Sequence, residues 1–404
     1  MRIMRFLVVA TLLIVVVYRL STERVNITDY VTKSTSSTQV KGTSGALASA
    51  AAKKLDANKD QVVMKSENDK ALSAPYEKAS ATFVSLARNS DLWDLIDSIR
   101  MVEDRFNHRY HYDWVFLNDD EFTEEFKDTI SRYVSGKATF GLIPKEHWGF
   151  PEWIDKEKAA LVREQMRNDK VIYGDSIPYR HMCRYESGFF WRHPALDPYK
   201  FYWRVEPHIK LFCDIDYDVF KFMEEKKLKY GFTISLYEYE TTIKTLWKTT
   251  KEFIDANPQY VSPNSLMDFI SDDKGETYNR CHFWSNFEVA SLDFWRGEAY
   301  QKYFEHLDKA GGFFYERWGD APVHSLAASL FLDKDEVHYF QDIGYWHNPF
   351  SNCPTEKEER LRLKCTCNPA RDHDNNFTWK DYSCTPKFFN AKGLQRPKGW
   401  EDQT

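Results

Sequence analysis

The chain reads as one α/β domain of roughly 330 residues, set behind a short apolar segment and a polar connecting stretch. Three observations carry this reading. A strand-like run, an amphipathic helical pattern and a second strand-like run follow one another between positions 81 and 117. Apolar runs with helical patterns between several of them continue to about position 350. Aromatic residues make up 16% of the chain, enough for a large aromatic core and for stacking surfaces as well.

The N-terminal elements come first. Arg2 and Arg5 precede Phe6–Tyr18, an uncharged apolar run that Arg19 closes. The run is shorter than the roughly 20 residues of an average membrane span. A cleavable signal needs small residues at its cut, and Tyr18-Arg19-Leu20-Ser21 is a poor site. Arg19 can snorkel, and Leu20 lengthens the apolar stretch. Residues 6–20 therefore read as an uncleaved signal-anchor and residues 1–5 as a cytoplasmic tail, which leaves the remainder in the lumen. Residues 21–75 are rich in Ser, Thr, Ala and Lys, with Tyr30 the only aromatic. Such a stretch buries too little apolar surface to offset chain entropy, so it reads as a disordered stem.

The folded body is expected over 76–404. Ala81–Ala87 reads as a buried strand. Ser90 or Asp91 is the candidate cap of the helix that follows, with Leu92, Leu95, Ile96 and Ile99 on one face. Asp113–Leu117 reads as the next strand, completing a βαβ unit. Later apolar runs are KVIYG, FYWRVE, YGFTIS and VHYFQDIGYW. The segment from about 350 onward is irregular and holds four of the seven cysteines.

Seven is an odd number, so at least one cysteine is free or bonded to another chain. Cys353, Cys365, Cys367 and Cys384 with His373 raise the question of zinc. Their C-x-C spacing is not the usual knuckle, and a lumen favours disulfides. The pairing cannot be read from spacing. Asn26 and Asn376 open two N-x-[ST] sequons. A formal charge of −6 gives no support for a nucleic-acid partner.

The stretch FYWRVEPHIKLFCDIDYDVF, residues 201–220, holds two candidate acidic metal sites. Glu206 falls at the carboxyl end of a strand pattern that Pro207 stops, where α/β sheets bind their ligands. Its plain alternative is a strand-end glutamate paired with Arg204 or Arg180. Asp214 precedes a helical spacing of Ile215, Val219, Phe222 and Met223, so it reads as an N-cap. Asp216 and Asp218 would then lie in the first turn and favour the helix dipole. Capping accounts for these aspartates without a metal.

From about residue 80 to 385 the chain resembles the fungal Golgi α-1,2-mannosyltransferases that use GDP-mannose, the glycolipid 2-α-mannosyltransferase family. The resemblance rests on YRHMCRYESGFFWRHP, YWRVEP, CDIDYDVF, YGFTISLYEY, LMDFISDDKG, CHFWSNFEVASLDFWR, DKAGGFFYERWGDAPVHS, and NCP followed by CNP, in that order. It implies a single GT-A-like domain with a mixed central sheet, in a type II Golgi membrane protein. It implies GDP-mannose as donor, Mn²⁺ as cofactor, mannosylated glycoproteins with O-linked or N-linked glycans as acceptors, and retention of configuration. It puts metal contacts at Glu206 and His347, a candidate nucleophile at Glu288 and a functional side chain at Tyr179. The position after Glu206-Pro207 is often Asp in the family and is His208 here, which leaves its role open.

Mn²⁺ accepts oxygen and imidazole ligands, so a glutamate, a histidine and phosphate oxygens make a consistent set. Retention by double displacement needs a carboxylate on the far face of the sugar, the part Glu288 would play. In a front-face reaction Glu288 would only orient the acceptor and stabilise positive charge. Its plain alternative is an ordinary helix glutamate. Arg180 and Arg184 are candidate phosphate contacts, with pairing to Glu186 as the alternative. Trp284, Tyr315 and Trp318 are candidate sugar-stacking rings. Two other functions fit the same motifs: a catalytically silent glycan-binding relative, and a mannosylphosphate transferase with the same donor.

Overall fold

The computed structural model describes residues 76–371, 376–380 and 382–403. The anchor, the stem, Asn26 and His373 lie outside these residues. Among the described residues, no helix is long and apolar enough to cross a membrane.

The pattern at 81–117 forms the unit it predicts. β1 (Ala81–Leu86) leads into α1 (Leu92–Arg105), and β2 (Asp113–Asn118) returns parallel to β1. Leu92, Leu95, Ile96 and Ile99 form the buried face of α1. Asp91 precedes that helix, but its carboxylate turns back to the Arg88 N–H at 2.9 Å and makes no cap bond. β3 (Ala138–Leu142) extends the sheet, followed by α2 (Lys156–Asn168) and α3 (Ile177–Gly188). Asp155 and Ser176 cap these two helices by accepting backbone N–H bonds. The run KVIYG between them makes no strand. Lys170 and Tyr173 hold φ of 55° and 54°, in the left-handed region that interrupts an extended chain.

β4 (Phe201–Val205) and β5 (Lys210–Leu211) come next, then α4 (Val219–Glu225). β6 (Tyr230–Phe232), β7 (Ser235–Tyr237), β8 (Cys281–Phe283) and β9 (Phe287–Ser291) precede α5 (Asp320–Phe331). β10 (Val337–Tyr339), β11 (Tyr345–His347) and β12 (Phe350–Asn352) complete the strands, so YGFTIS and VHYFQDIGYW each divide between two strands. Seven strands form the main sheet in the order β10-β6-β9-β4-β1-β2-β3. β9 runs antiparallel to both neighbours while the other pairs are parallel, so the sheet is mixed. A three-stranded sheet, β12-β11-β5, and the β7-β8 pair lie beside it.

Strand alternation divides the aromatics between two cores, one on each face of the main sheet. Phe83, Trp114 and Trp203 are fully buried in one, with ring centroids 4.5 and 5.6 Å from Phe83. Tyr202 and Tyr230 face the other.

The cap of α4 is Asp218, not Asp214. Asp218 Oδ1 accepts the N–H groups of Phe220 and Lys221 at 2.9 and 3.1 Å. The helix begins later than the apolar spacing implies because the preceding backbone is taken elsewhere. The Asp214 N–H bonds to the Leu363 carbonyl, and that of Ile215 to Arg105. The Asp214 carboxylate pairs with Arg105 at 2.5 Å, and that of Asp216 with Arg362.

Three disulfides join Cys213 to Cys365, Cys281 to Cys384, and Cys353 to Cys367, leaving Cys183 free and buried. They occupy all four cysteines of the zinc reading, which is thereby excluded. Two of them tie the irregular C-terminal segment to β8 and to the chain just after β5, and the third closes a loop within that segment.

Candidate active site

The site grows from the end of β4. Arg204 and Glu206 are two residues apart on an extended chain, so their side chains leave the same face. Arg204 Nε donates to Glu206 Oε1 at 2.8 Å, and Nη2 donates to the same oxygen. Nη1 donates to Asp320 Oδ2 at 2.6 Å, which also accepts the Ser285 hydroxyl at 2.8 Å. Asp320 is the first residue of α5, where the helix dipole favours a carboxylate. The Arg204 pairing that served as the plain alternative for Glu206 is thus present, but it engages one oxygen.

The other oxygen, Oε2, lies 4.0 Å from His347 Nε2. This gap is too long for a hydrogen bond. A divalent first-row ion about 2.0–2.2 Å from each donor would span it. His347 Nδ1 lies 3.2 Å from the Asn348 carbonyl. Donation there leaves the Nε2 lone pair for coordination, the usual support of a metal-binding histidine. β11, which carries His347, pairs with β5 at Tyr345–Leu211 and Trp346–Lys210. The small sheet therefore sets His347 against Glu206. A Cβ at Gly344 would stand 2.6 Å from Cys213 Sγ, so only glycine fits where the chain enters β11. Trp284 stands edge-on to His347, with centroids 5.3 Å apart. His208 turns away: its Nε2 lies 3.0 Å from Asp94 on the surface.

Glu288 is the second residue of β9, opposite Arg204 in the register, and not on a helix. It is 0% exposed. The Tyr202 hydroxyl donates to Oε1 and that of Tyr230 to Oε2 at 2.8 Å. His324 Nδ1 is 2.9 Å from Oε2, and its Nε2 is 3.1 Å from the Glu186 carbonyl. Two acceptors facing both ring nitrogens favour the imidazolium. Burial alone would push the Glu288 carboxyl up, but the His324 charge and the hydrogen bonds hold it below its ordinary value. His324 is correspondingly raised by the Glu288 carboxylate against the effect of burial. Glu186, buried 3.9 Å from Arg204, is pushed up by desolvation to about 7.

Tyr179 sits half-buried in the first turn of α3. Its ring stacks on Tyr173 at 4.6 Å, and the Arg317 guanidinium lies 5.2 Å from its centroid. Its hydroxyl contacts Cys183, whose sulfur also meets the Asp320 backbone, so Tyr179 adjoins the Arg204–Asp320 cluster. Arg180 and Arg184 require correction as phosphate contacts. Arg180 donates to the carbonyls of Glu316 and Ser176 inside the fold. Arg184 makes a buried two-pronged pair with Asp308 at 2.7 and 2.8 Å, not with Glu186. Trp318 is 1% exposed, which removes it as a sugar platform, whereas Trp284 and Tyr315 are partly open. Asn376 is 2% exposed and its Oδ1 accepts the Cys353 N–H, so its sequon offers no outlet for a glycan in the folded chain.

A family model described as glycolipid 2-alpha-mannosyltransferase matches residues 33–393. The chain belongs to that family. It is 65% identical over 328 residues to glycolipid 2-alpha-mannosyltransferase 1 of Candida albicans, covering 81% of this chain and 75% of that one. It is 61% identical over 330 residues to alpha-1,2 mannosyltransferase KTR1 of Saccharomyces cerevisiae, covering 82% of each. Core-mannan synthase A of Aspergillus fumigatus, solved in a Mn/GDP form, superposes with a TM-score of 0.75 at 44% identity, over 81% of this chain and 90% of that one. The family resemblance read from the motifs is borne out, and with it the reading of the chain as a mannosyltransferase enzyme.

Sequence reasoning on this mannosyltransferase missed Asp320 and His324. One signal was available: they are four residues apart, so they share a face of a helix that holds no other ionisable side chain. Nothing in the sequence brings that face to Arg204 and Glu288.

Proposed function

We propose that this mannosyltransferase transfers mannose from GDP-mannose to the 2-hydroxyl of a terminal mannose on O-linked or N-linked glycans, with retention, in the Golgi lumen. The type II anchor and stem read from residues 1–75 belong to this proposal. So does the GT-A-like character of the mixed sheet, with donor bound at the carboxyl ends of its parallel strands. The observation that carries the proposal is the convergence of Glu206 and His347 at a strand end, 4.0 Å apart, with Glu206 Oε1 and His347 Nδ1 each engaged elsewhere.

Glu206 and His347 would hold Mn²⁺. When bound, the ion would stabilise the negative charge that develops on the departing diphosphate. Arg204 fixes the Glu206 carboxylate, and the Asn348 carbonyl fixes the His347 tautomer. Glu288 holds an ionised carboxylate beside Arg204, paired with His324 and fixed by the Tyr202 and Tyr230 hydroxyls. Attack on the sugar by Glu288 would require Tyr202 or Tyr230 to leave its oxygens. Stabilising positive charge on the sugar requires no such movement, so the front-face course is the one we favour. Tyr179 borders the acceptor side.

The full chain would be incubated with GDP-mannose, Mn²⁺ and methyl α-mannoside, and the product linkage read by NMR. An α-1,2 dimannoside is expected, lost with chelator and in Glu206→Ala. A folded, GDP-binding chain that also fails on natural glycans would sink the enzyme reading in favour of a silent relative. Phosphorus in the product would identify a mannosylphosphate transferase.

A further inference from the structure

We propose that the groove between α2, the turn over 169–176 and the loop after β7 seats the inner sugars of the acceptor, behind the mannose that receives the new residue. The inference rests on the mannosyltransferase reading and adds where the acceptor chain runs. The groove encloses 710 Å³, within the range of about 300–1,000 Å³ typical of ligand sites. Ile172 and Tyr239 stand on its rim, 54% and 55% exposed, and Tyr315 lies deeper. Gln165, Asp169 and Lys244 add polar groups among them. A hexopyranose divides the same way. It has a C–H face that lies on an aromatic ring and a hydroxyl edge that needs donors and acceptors.

A second observation concerns the turn that presents Ile172. Lys170 and Tyr173 both hold positive φ, and a bulky side chain such as Tyr173 is rarely found there. Strain of this kind persists where the surroundings impose it, often at ligand clamps. A third is continuity with the transfer site. Tyr173 stacks on Tyr179 at 4.6 Å, and the guanidinium of Arg317, next to the groove residue Glu316, lies 5.2 Å from the Tyr179 ring. The Tyr239 N–H bonds to Glu238 at 2.7 Å, and Glu238 lies 3.7 Å from Arg317. A chain of contacts therefore runs from the groove to Tyr179 and, through the buried Arg317 and Cys183, beneath it to Asp320. Only the terminal mannose must reach the reaction centre. The rest of the acceptor leaves across the surface, and contacts there contribute binding energy remote from the chemistry.

The test uses the full chain, GDP-mannose and Mn²⁺ with two acceptors, methyl α-mannoside and a linear α-mannotetraose. The wild type should favour the tetraose at least tenfold in kcat/KM, through KM. Tyr239→Ala and Ile172→Asp should remove most of that preference while transfer to methyl α-mannoside stays within twofold. Equal loss on both acceptors, or no length preference in the wild type, overturns the proposal. A defect confined to a peptide carrying a single mannose would assign the groove to polypeptide and also overturn it. Saturation-transfer NMR with mannotetraose reads binding without turnover. Inner-sugar signals should fade in both variants, and their persistence refutes the groove even if the chain proves to have no transferase activity.

Discussion

Arg204→Met would test the charge cluster behind the site. The guanidinium serves Glu206 through two N–H groups and Asp320 through a third at 2.6 Å, with Glu186 3.9 Å away. Asp320 and Glu186 are 5% and 4% exposed, so removing the cation leaves two buried carboxylates without their counter-charge. Breaking a buried pair in this way costs about 3–5 kcal/mol. With a urea m value of about 3 kcal/mol/M, the midpoint should fall by about 1–1.7 M. The pH dependence follows from the two shifts. Burial would raise the Asp320 carboxyl, but Arg204 and His324 outweigh it and hold it low. Its stabilisation is present above the unfolded value of about 3.9 and is lost as pH falls through the folded one. Burial raises Glu186 to about 7, so its contribution is full below about 4.3 and is lost as pH rises through about 7. Without Arg204 both carboxyls are raised. The deficit should be largest at pH 8 and should shrink toward pH 5, where protonation relieves it. Urea titrations followed by tryptophan fluorescence at both pH values measure this. A deficit below about 1 kcal/mol, or one independent of pH, would refute the argument that Arg204 neutralises this cluster.

Four further outcomes are expected. His347→Ala should weaken Mn²⁺ binding at least tenfold by electron paramagnetic resonance while the urea midpoint holds, because the ring is only partly buried; unchanged binding would remove His347 from the metal set. Glu288→Gln should lose about 1.5–3 kcal/mol through the weakened His324 bond, together with most of kcat. Adding azide to Glu288→Ala should yield no β-mannosyl azide, and its appearance would establish double displacement. Phe83→Ala should cost about 3–5 kcal/mol by calorimetry, since the ring is fully buried against Trp114 and Trp203, and a loss below about 1 kcal/mol would contradict that packing.

Local periodicity made much of the fold legible. The first βαβ unit, the strand before Glu206 and the apolar face of α1 all follow from spacing within a few residues. KVIYG misled because four apolar or small residues carry no sign of the left-handed backbone that Tyr173 adopts. Asp214 misled for a related reason. Helical spacing begins near it, yet its backbone N–H is claimed by Leu363, far along the chain. Arg184 looked available for phosphate until Asp308 met it across a helix pair.

The sequence by itself determined the layer order of the first unit, the placement of Glu206 at a strand end, and the family to which the chain belongs. These depend on neighbours a few residues apart or on long uninterrupted motifs. Only the tertiary structure decided which carboxylate keeps an oxygen free, which cysteines pair, and that Glu288 lies buried between Tyr202, Tyr230 and His324. Those outcomes turn on partners tens to more than a hundred residues away. Burial then sets the charge each group carries, and no local pattern encodes it.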